Sequence, residues 1–133
     1  MIKTIFAVDG DITKLEEYKN ALKPKLDDRS YILETFRSPH RAYSSTLNFR
    51  PGPHLLITAY DFDRYPNMGG SKLIRKVHEL SSRTKFIMSS GMHESNVRRI
   101  LDELKKDGID VKYIPLYSVE DNLGDLVKSL MGE

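Results

Sequence analysis

The chain has 133 residues, which predicts a single domain (residues 1–133) large enough to bury a real hydrophobic core. Charged residues make up 30% and hydrophobic residues 39%, as is usual for soluble globular proteins. The absence of cysteine excludes disulfides, thiolate catalysis and cysteine zinc sites. A formal net charge of +2 is too small to indicate nucleic-acid binding, and no apolar run approaches the roughly 20 residues of a membrane span. We therefore expect a cytoplasmic protein that binds neither nucleic acid nor membranes.

The first half of the chain alternates apolar runs with segments of helical periodicity. In chain order we predict a strand at Lys3–Val8, a helix at Ile12–Leu22, a strand at Tyr31–Phe36, a helix from Ser38-Pro39 to about Phe49, and a strand at Leu55–Ala59. Asp11 and Ser38 are residue types that cap helices, and Pro39 suits a first helical position. The segment Arg50–Pro53 breaks the chain before the third strand.

The second half continues the alternation. We predict a helix at Ser71–Leu80, a strand at Thr84–Ser89, a helix at Met92–Lys106 ended by Gly108, a strand at Val111–Ile114 and a helix at Ser118–Leu130. Five strands and five helices in strict alternation predict an α/β fold with a parallel sheet and helices on both faces. The commonest five-stranded solution is the flavodoxin-like order 2-1-3-4-5.

Short polar motifs follow the predicted strands, at the sheet edge where open α/β folds bind ligands. Asp9-Gly10-Asp11 follows the first strand, Pro66-Asn67-Met68-Gly69-Gly70 precedes the third helix, Ser89-Ser90-Gly91 ends the fourth strand and Pro115 follows the fifth. With these motifs, essentially the whole chain resembles a response-regulator receiver domain, the chemotaxis-type module of two-component signalling. The Pro-Asn-Met-Gly-Gly turn is the most specific part of this resemblance.

The resemblance implies a site of five groups. In the family, two adjacent acids hold Mg²⁺, an aspartate at the end of the third strand accepts a phosphoryl group, a Ser or Thr contacts the phosphoryl oxygen, and a lysine neutralises charge. Phosphoryl transfer depends mostly on positioning and charge neutralisation, and Mg²⁺ prefers hard oxygen ligands.

This chain departs from the family pattern at three of the five positions. Gly10 stands where the second acid is expected, and Ile114 stands at the lysine position, with Lys112 two residues earlier on the same side of the strand. Counting from Pro53 puts Ala59 at the phosphoacceptor position, whereas counting back from Pro66 gives Phe62, or Asp61 with one extra loop residue. We therefore expect a weakened or absent phosphoryl switch.

The candidate site residues each have a second interpretation. Asp9 and Asp61 are the candidate Mg²⁺ ligands and Asp61 the candidate phosphoacceptor, although Asp61 also suits a loop aspartate that satisfies its own backbone. Ser90, or Ser89 if the register shifts by one, could contact a phosphoryl group or cap the fourth helix. Asp11 could bend into the site, but its role as an N-cap is the stronger interpretation.

The segment Tyr60–Tyr65 contains three aromatic residues, and it is about three residues longer than the usual family loop if Ala59 marks the strand end. Exposed loop aromatics often mark recognition, but we favour a segment that folds over the crevice as a local lid or satellite core. The four histidines show no metal-ligand spacing.

Three functions remain open. The first is a receiver-like signalling domain, not an enzyme, with degenerate aspartyl phosphorylation; its partners would be a histidine kinase or a downstream effector. The family uses its fourth helix, fifth strand and fifth helix for output, which makes a homodimer through this face a further expectation. The second is a phosphorylation-independent pseudo-receiver scaffold, and the third is a small-molecule binder on a flavodoxin-like fold.

Overall fold

The computed structural model describes residues 2–49, 51–62 and 64–132, so Arg50 of the predicted break and Asp63 of the aromatic loop lie outside it. The strands are β1 (Lys3–Val8), β2 (Tyr31–Phe36), β3 (Leu55–Ala59), β4 (Lys85–Ser90) and β5 (Val111–Pro115). The helices are α1 (Ile12–Leu22), α2 (Pro39–Asn48), α3 (Gly70–Leu80), α4 (Glu94–Lys106) and α5 (Val119–Met131), with a short 3₁₀ turn at Leu116–Ser118 before α5. Every described helix is too short or too polar to cross a bilayer.

The five strands form one sheet in the order β2-β1-β3-β4-β5, and each neighbouring pair is parallel. The predicted flavodoxin-like fold and strand order are therefore confirmed. All five strands point the same way, so their carboxyl ends lie along one edge of the sheet.

The sheet separates two hydrophobic cores. Inward-facing residues of α1 and α5 cover one face, and those of α2, α3 and α4 cover the other. The central strand β3 contributes Leu55 and Ile57 to the first core and Leu56 to the second. Alternation along a strand sends successive side chains to opposite faces, which explains why β3 is apolar on both.

Local capping chemistry sets the helix boundaries. Asp11 and Ser38 cap α1 and α2 as predicted, accepting hydrogen bonds from the backbone N–H groups of Thr13 and Arg41. The predicted start of α4 at Met92 is two residues early, because the His93 side chain accepts from the Ser95 N–H and caps the helix there.

Two glycines allow close backbone approach. A Cβ at Gly70 would overlap the carbonyl oxygen of Ala59, so only glycine lets α3 begin directly against the end of β3. A Cβ at Gly124 would meet the Lys25 side chain and lie 2.9 Å from the carbonyl oxygen of Ala21, where α5 packs on α1. The two glycines therefore set how closely α3 approaches the end of β3 and how closely α5 approaches α1.

Candidate functional site

The carboxyl ends of the three central strands align in register. Val8 of β1 pairs with Thr58 of β3, and Ala59 pairs with Ser89 of β4. Asp9 follows Val8 directly, so the residue at the matching level of β3 is Ala59. The residue at the carboxyl end of β3, for which counting along the sequence gave Ala59, Phe62 or Asp61, is therefore Ala59.

Asp9 is buried at this edge, with 7% of its surface exposed. Its Oδ1 accepts a hydrogen bond from the Asp11 N–H at 2.9 Å, and its Oδ2 accepts one from the Tyr18 hydroxyl at 3.0 Å. Burial raises the pKa of the Asp9 carboxyl, and the two hydrogen bonds oppose that rise. Both carboxylate oxygens are therefore committed to neighbouring protein groups.

Tyr18 is the residue of this site that the sequence did not identify. In the sequence, Tyr18 is one of the residues whose helical spacing indicates α1, and its side chain is fully buried. Burial raises the pKa of its hydroxyl, and the nearby Asp9 charge raises it further. The hydroxyl therefore remains a donor to Asp9. The sequence did contain a signal for this contact: a tyrosine nine positions after Asp9, on the face of α1 that points toward the sheet.

Asp11 does not bend toward the strand ends. Its side chain accepts hydrogen bonds from the Thr13 backbone N–H and the Thr13 hydroxyl. These bonds hold the pKa of the Asp11 carboxyl below its ordinary value. The N-cap interpretation of Asp11 is confirmed.

Asp61 lies beyond the end of β3, in the loop that leads to α3. The strand stops at Ala59, so strand alternation does not extend to Asp61. The Asp61 side chain is exposed and lines the same open cavity as Asp9. Its role as a phosphoacceptor stays a prediction.

The two serines at the end of β4 face different surroundings. Ser89 is 1% exposed and its hydroxyl makes no hydrogen bond within the described residues, although it lies near enough to the Tyr18 hydroxyl to lower the pKa of that group. Ser90 is half-buried, and its hydroxyl accepts from the Met92 N–H at 3.0 Å. That bond forms a turn before α4, and His93 takes the capping role considered for Ser90.

The fifth strand contributes no cation to this edge. Ile114 pairs with Ser89, is 3% exposed and belongs to the α1–α5 core. Lys112 lies further back along β5 with its side chain half exposed, 3.9 Å from Asp110. It therefore does not substitute for a lysine at the strand end.

The aromatic loop folds back onto the protein. Phe62 is buried in the core under α2, α3 and α4, and Tyr60 and Tyr65 pack against that core. The interpretation as a local lid is thus favoured over that of a free recognition loop. The loop covers the sheet edge on the side of α2 and α3.

The strand ends supply fewer carboxylates than the family's Mg²⁺ site uses. Mg²⁺ prefers near-octahedral oxygen coordination; here each Asp9 oxygen already accepts one hydrogen bond, and Gly10 and Ala59 supply no carboxylate. The described part of the chain brings no three metal-ligating side chains together. Mg²⁺ binding by Asp9 and Asp61 stays a prediction.

Solved structures of receiver domains and response regulators share the fold of this chain. A receiver-domain protein from Methanospirillum hungatei matches with a TM-score of 0.74 and 22% identity, covering 99% of this chain and 96% of its own. A response regulator from Thermotoga maritima matches with a TM-score of 0.75 and 17% identity over both complete chains. A phosphorylated cyanobacterial phytochrome response regulator matches with a TM-score of 0.78 and 13% identity, covering 98% and 95%. The chain has the receiver-domain fold.

No protein-family model matches the chain, and no curated protein matches it in sequence. The likeness to receiver domains therefore lies in the arrangement of strands and helices. The function of this chain is therefore argued from its fold and from its own residues at the strand ends.

Proposed function

We propose that this protein is a receiver-like signalling domain that acts through protein–protein contacts, with aspartyl phosphorylation lost or strongly weakened. The receiver-domain fold supports the signalling role. The observation that carries the second part is Ala59 at the carboxyl end of β3, in register with Ser89 and beside Asp9. An alanine offers no oxygen to a phosphoryl donor.

The surroundings of Ala59 support the same conclusion. A receiver switch depends on a cation that attracts the phosphoryl group, an interaction of about 4 kcal/mol for unit charges 4 Å apart at an effective dielectric of 20. Here the corresponding position is the buried Ile114. Replacing a buried charge by a well-packed apolar side chain costs the fold little. The domain therefore keeps its architecture without the electrostatic trigger.

The surface near β5 supports binding to a protein partner. Tyr117 is 86% exposed between β5 and α5, where an unburied aromatic ring offers a large contact area. The Tyr113 hydroxyl donates to the Ser90 carbonyl at 2.6 Å, so β5 is linked to the end of β4. We propose the α4–β5–α5 face as the contact surface for a kinase, an effector or a second copy of the chain.

The test is phosphorylation with a small-molecule donor. The protein is incubated with acetyl phosphate and Mg²⁺, and its intact mass is measured. We expect no stable addition of one phosphoryl group to the wild type, and none to Asp61→Asn. A positive control restores the family pattern with Gly10→Asp, Ala59→Asp and Ile114→Lys; a Cβ at Gly10 meets only Phe62, at 4.0 Å.

The outcomes separate the candidate functions. Wild-type phosphorylation that Asp61→Asn abolishes would overturn the proposal and make Asp61 the phosphoacceptor. The phosphorylation-independent scaffold would be supported if the wild type stays unmodified and the Asp9→Ala and Asp61→Ala variants bind a partner as tightly as the wild type does. The restored variant is first checked by circular dichroism, since Ile114→Lys places a charge in the core.

A further inference from the structure

A histidine joins two strands at the amino-terminal edge of the sheet, opposite the candidate functional site. His54 directly precedes β3 and lies beside Thr4, the second residue of β1. The His54 backbone N–H donates to the Thr4 carbonyl at 2.9 Å, and the His54 Nδ1 accepts a hydrogen bond from the Thr4 N–H at 3.0 Å. The imidazole therefore takes a place in the ladder between β1 and β3 that a backbone carbonyl would otherwise fill.

The hydrogen bond from Thr4 requires the neutral form of the imidazole. An N–H group can donate to Nδ1 only when that nitrogen carries no proton, and protonated histidine has donors at both ring nitrogens. Thr4 is buried, with 7% of its surface exposed, so its N–H would lose its acceptor at a place where water cannot easily replace it. Proton uptake by this one side chain thus breaks a specific link between β1 and β3.

The surroundings of the ring disfavour a positive charge. Among the described residues, the charged groups that act on the imidazole are two cations, Lys3 of β1 and Arg83 before β4. The Arg83 guanidinium is fixed nearby by hydrogen bonds of 2.6 and 3.2 Å to the Gly52 carbonyl. Partial burial and these cations hold the pKa of His54 below its ordinary value of 6.5. Protonation therefore adds a third positive charge to a place that already holds two.

The same edge of the sheet holds the last turn of α5. The Lys3 ammonium group donates to the Met131 carbonyl, and the Lys85 ammonium group donates to the Leu130 carbonyl at 2.6 Å. Lys85 also donates its backbone N–H to the His54 carbonyl at 3.0 Å. Of the two lysines that hold the end of α5, one is therefore bonded to His54 itself, and the other adjoins the residue that His54 binds.

We propose that His54 is a pH-sensitive joint: proton uptake by its imidazole releases the Thr4 N–H, loosens the start of β1 and weakens the hold of Lys3 on the last turn of α5. The neutral ring of the folded protein fixes the direction of the effect. The link is intact above about pH 6.5 and is lost as the pH falls through the folded-state pKa of His54. The joint does not depend on the strand-end residues or on the proposed signalling function.

The test is NMR of the full chain from about pH 8 to about pH 4.5, with hydrogen exchange of individual amides. The imidazole signals of His54 should titrate with a midpoint below 6.5, and the amide signals of Thr4 and of Gly132, the C-cap of α5, should shift with that same midpoint. The protection factor of the Thr4 amide, corrected for the intrinsic pH dependence of exchange, should fall about tenfold, as for loss of one hydrogen bond. Residue-specific signals are needed because burial raises the pKa of Asp9, which changes the global stability in the opposite direction as the pH falls.

Three variants separate proton uptake from a purely structural role. His54→Asn keeps a hydrogen-bond acceptor at the δ1 position and cannot take up a proton, so the Thr4 amide should stay protected over the whole pH range. His54→Phe removes the acceptor and should leave this amide equally unprotected at both ends of the range. His93→Asn is the matched control, because His93 also accepts a backbone N–H through Nδ1 but caps α4 at the opposite edge of the sheet. It should keep the wild-type response at Thr4.

Four results would overturn the proposal. A Thr4 protection factor that stays constant while His54 titrates would show that the imidazole bond does not hold β1. A fall in protection that persists in His54→Asn, or one that disappears in His93→Asn, would assign the pH response to another group. A Gly132 signal that does not change across the His54 titration would remove the coupling to α5. An imidazole midpoint at or above 6.5 would show that the fold does not favour the neutral ring.

Discussion

Replacing Tyr18 by phenylalanine removes one hydroxyl from the α1–α5 core and leaves the ring in place. The Tyr18 side chain is fully buried, and its hydroxyl donates to Asp9 Oδ2 at 3.0 Å. Burial keeps the pKa of this hydroxyl well above its ordinary value, so it stays protonated throughout the pH range of a folding experiment. The substitution therefore tests the hydrogen bond that joins α1 to the end of β1.

The expected cost follows from the charge and burial of Asp9. A hydrogen bond to a charged partner contributes about 1.5–3 kcal/mol, and loss of a buried one leaves the acceptor unsatisfied. Asp9 keeps its bond from the Asp11 N–H, which places the cost near the lower part of that range, about 2 kcal/mol. For a chain of this length the Tm should fall by roughly 6–10 °C.

The cost should also depend on pH. The Tyr18 bond lowers the pKa of Asp9 against the larger effect of burial, so its loss raises that pKa further. Loss of the Tyr18 bond destabilises mainly the ionised form of Asp9. The stability cost of Tyr18→Phe is therefore largest above the folded-state pKa of Asp9 and decreases as the pH falls through that pKa.

The assay is urea unfolding followed by circular dichroism at about pH 7 and about pH 4. Tyr113→Phe is the matched control, because the Tyr113 hydroxyl donates to a neutral carbonyl and its loss should cost about 1 kcal/mol at both pH values. A Tyr18→Phe cost under about 0.5 kcal/mol at neutral pH, or one that does not shrink on acidification, would refute the reasoning.

Two further substitutions test the same region. Asp9→Asn removes the buried charge. Burial raises the pKa of Asp9, so the wild type loses stability as the pH rises from the ordinary carboxyl pKa of 3.8 through the folded-state pKa; the variant should therefore have a higher free energy of unfolding at neutral pH and nearly the same one below pH 3.8. Equal effects of the substitution in urea unfolding at neutral pH and below pH 3.8 would contradict this. Gly70→Ala should cost about 2–3 kcal/mol because its Cβ overlaps the Ala59 carbonyl, whereas Gly10→Ala, with Phe62 at 4.0 Å, should be nearly neutral. Thermal melts compare the two glycine variants, and equal losses would show that the α3 start is not sterically constrained.

The fold was predictable because its signals are local. Apolar runs, helical spacing and residues such as Asp11, Ser38 and Gly108 act within a few positions of the backbone they affect. The start of α4 was misplaced because a histidine is an unusual cap, and nothing in the sequence distinguished His93 from a loop residue.

The site was less predictable because its features come from distant parts of the chain. The choice between Ala59 and Asp61 depended on a loop length that spacing alone could not fix, and the register with Ser89 decided it. Tyr18 matched an ordinary core position until its hydroxyl was placed against Asp9.

The retention of Asp9 has a structural explanation that does not need phosphorylation. A carboxylate with 7% exposure would be strongly destabilising if it were unpaired. Its two hydrogen-bond donors, Tyr18 and the Asp11 N–H, come from α1 and from the loop that begins it. Asp9 therefore joins β1 to α1 through these two hydrogen bonds.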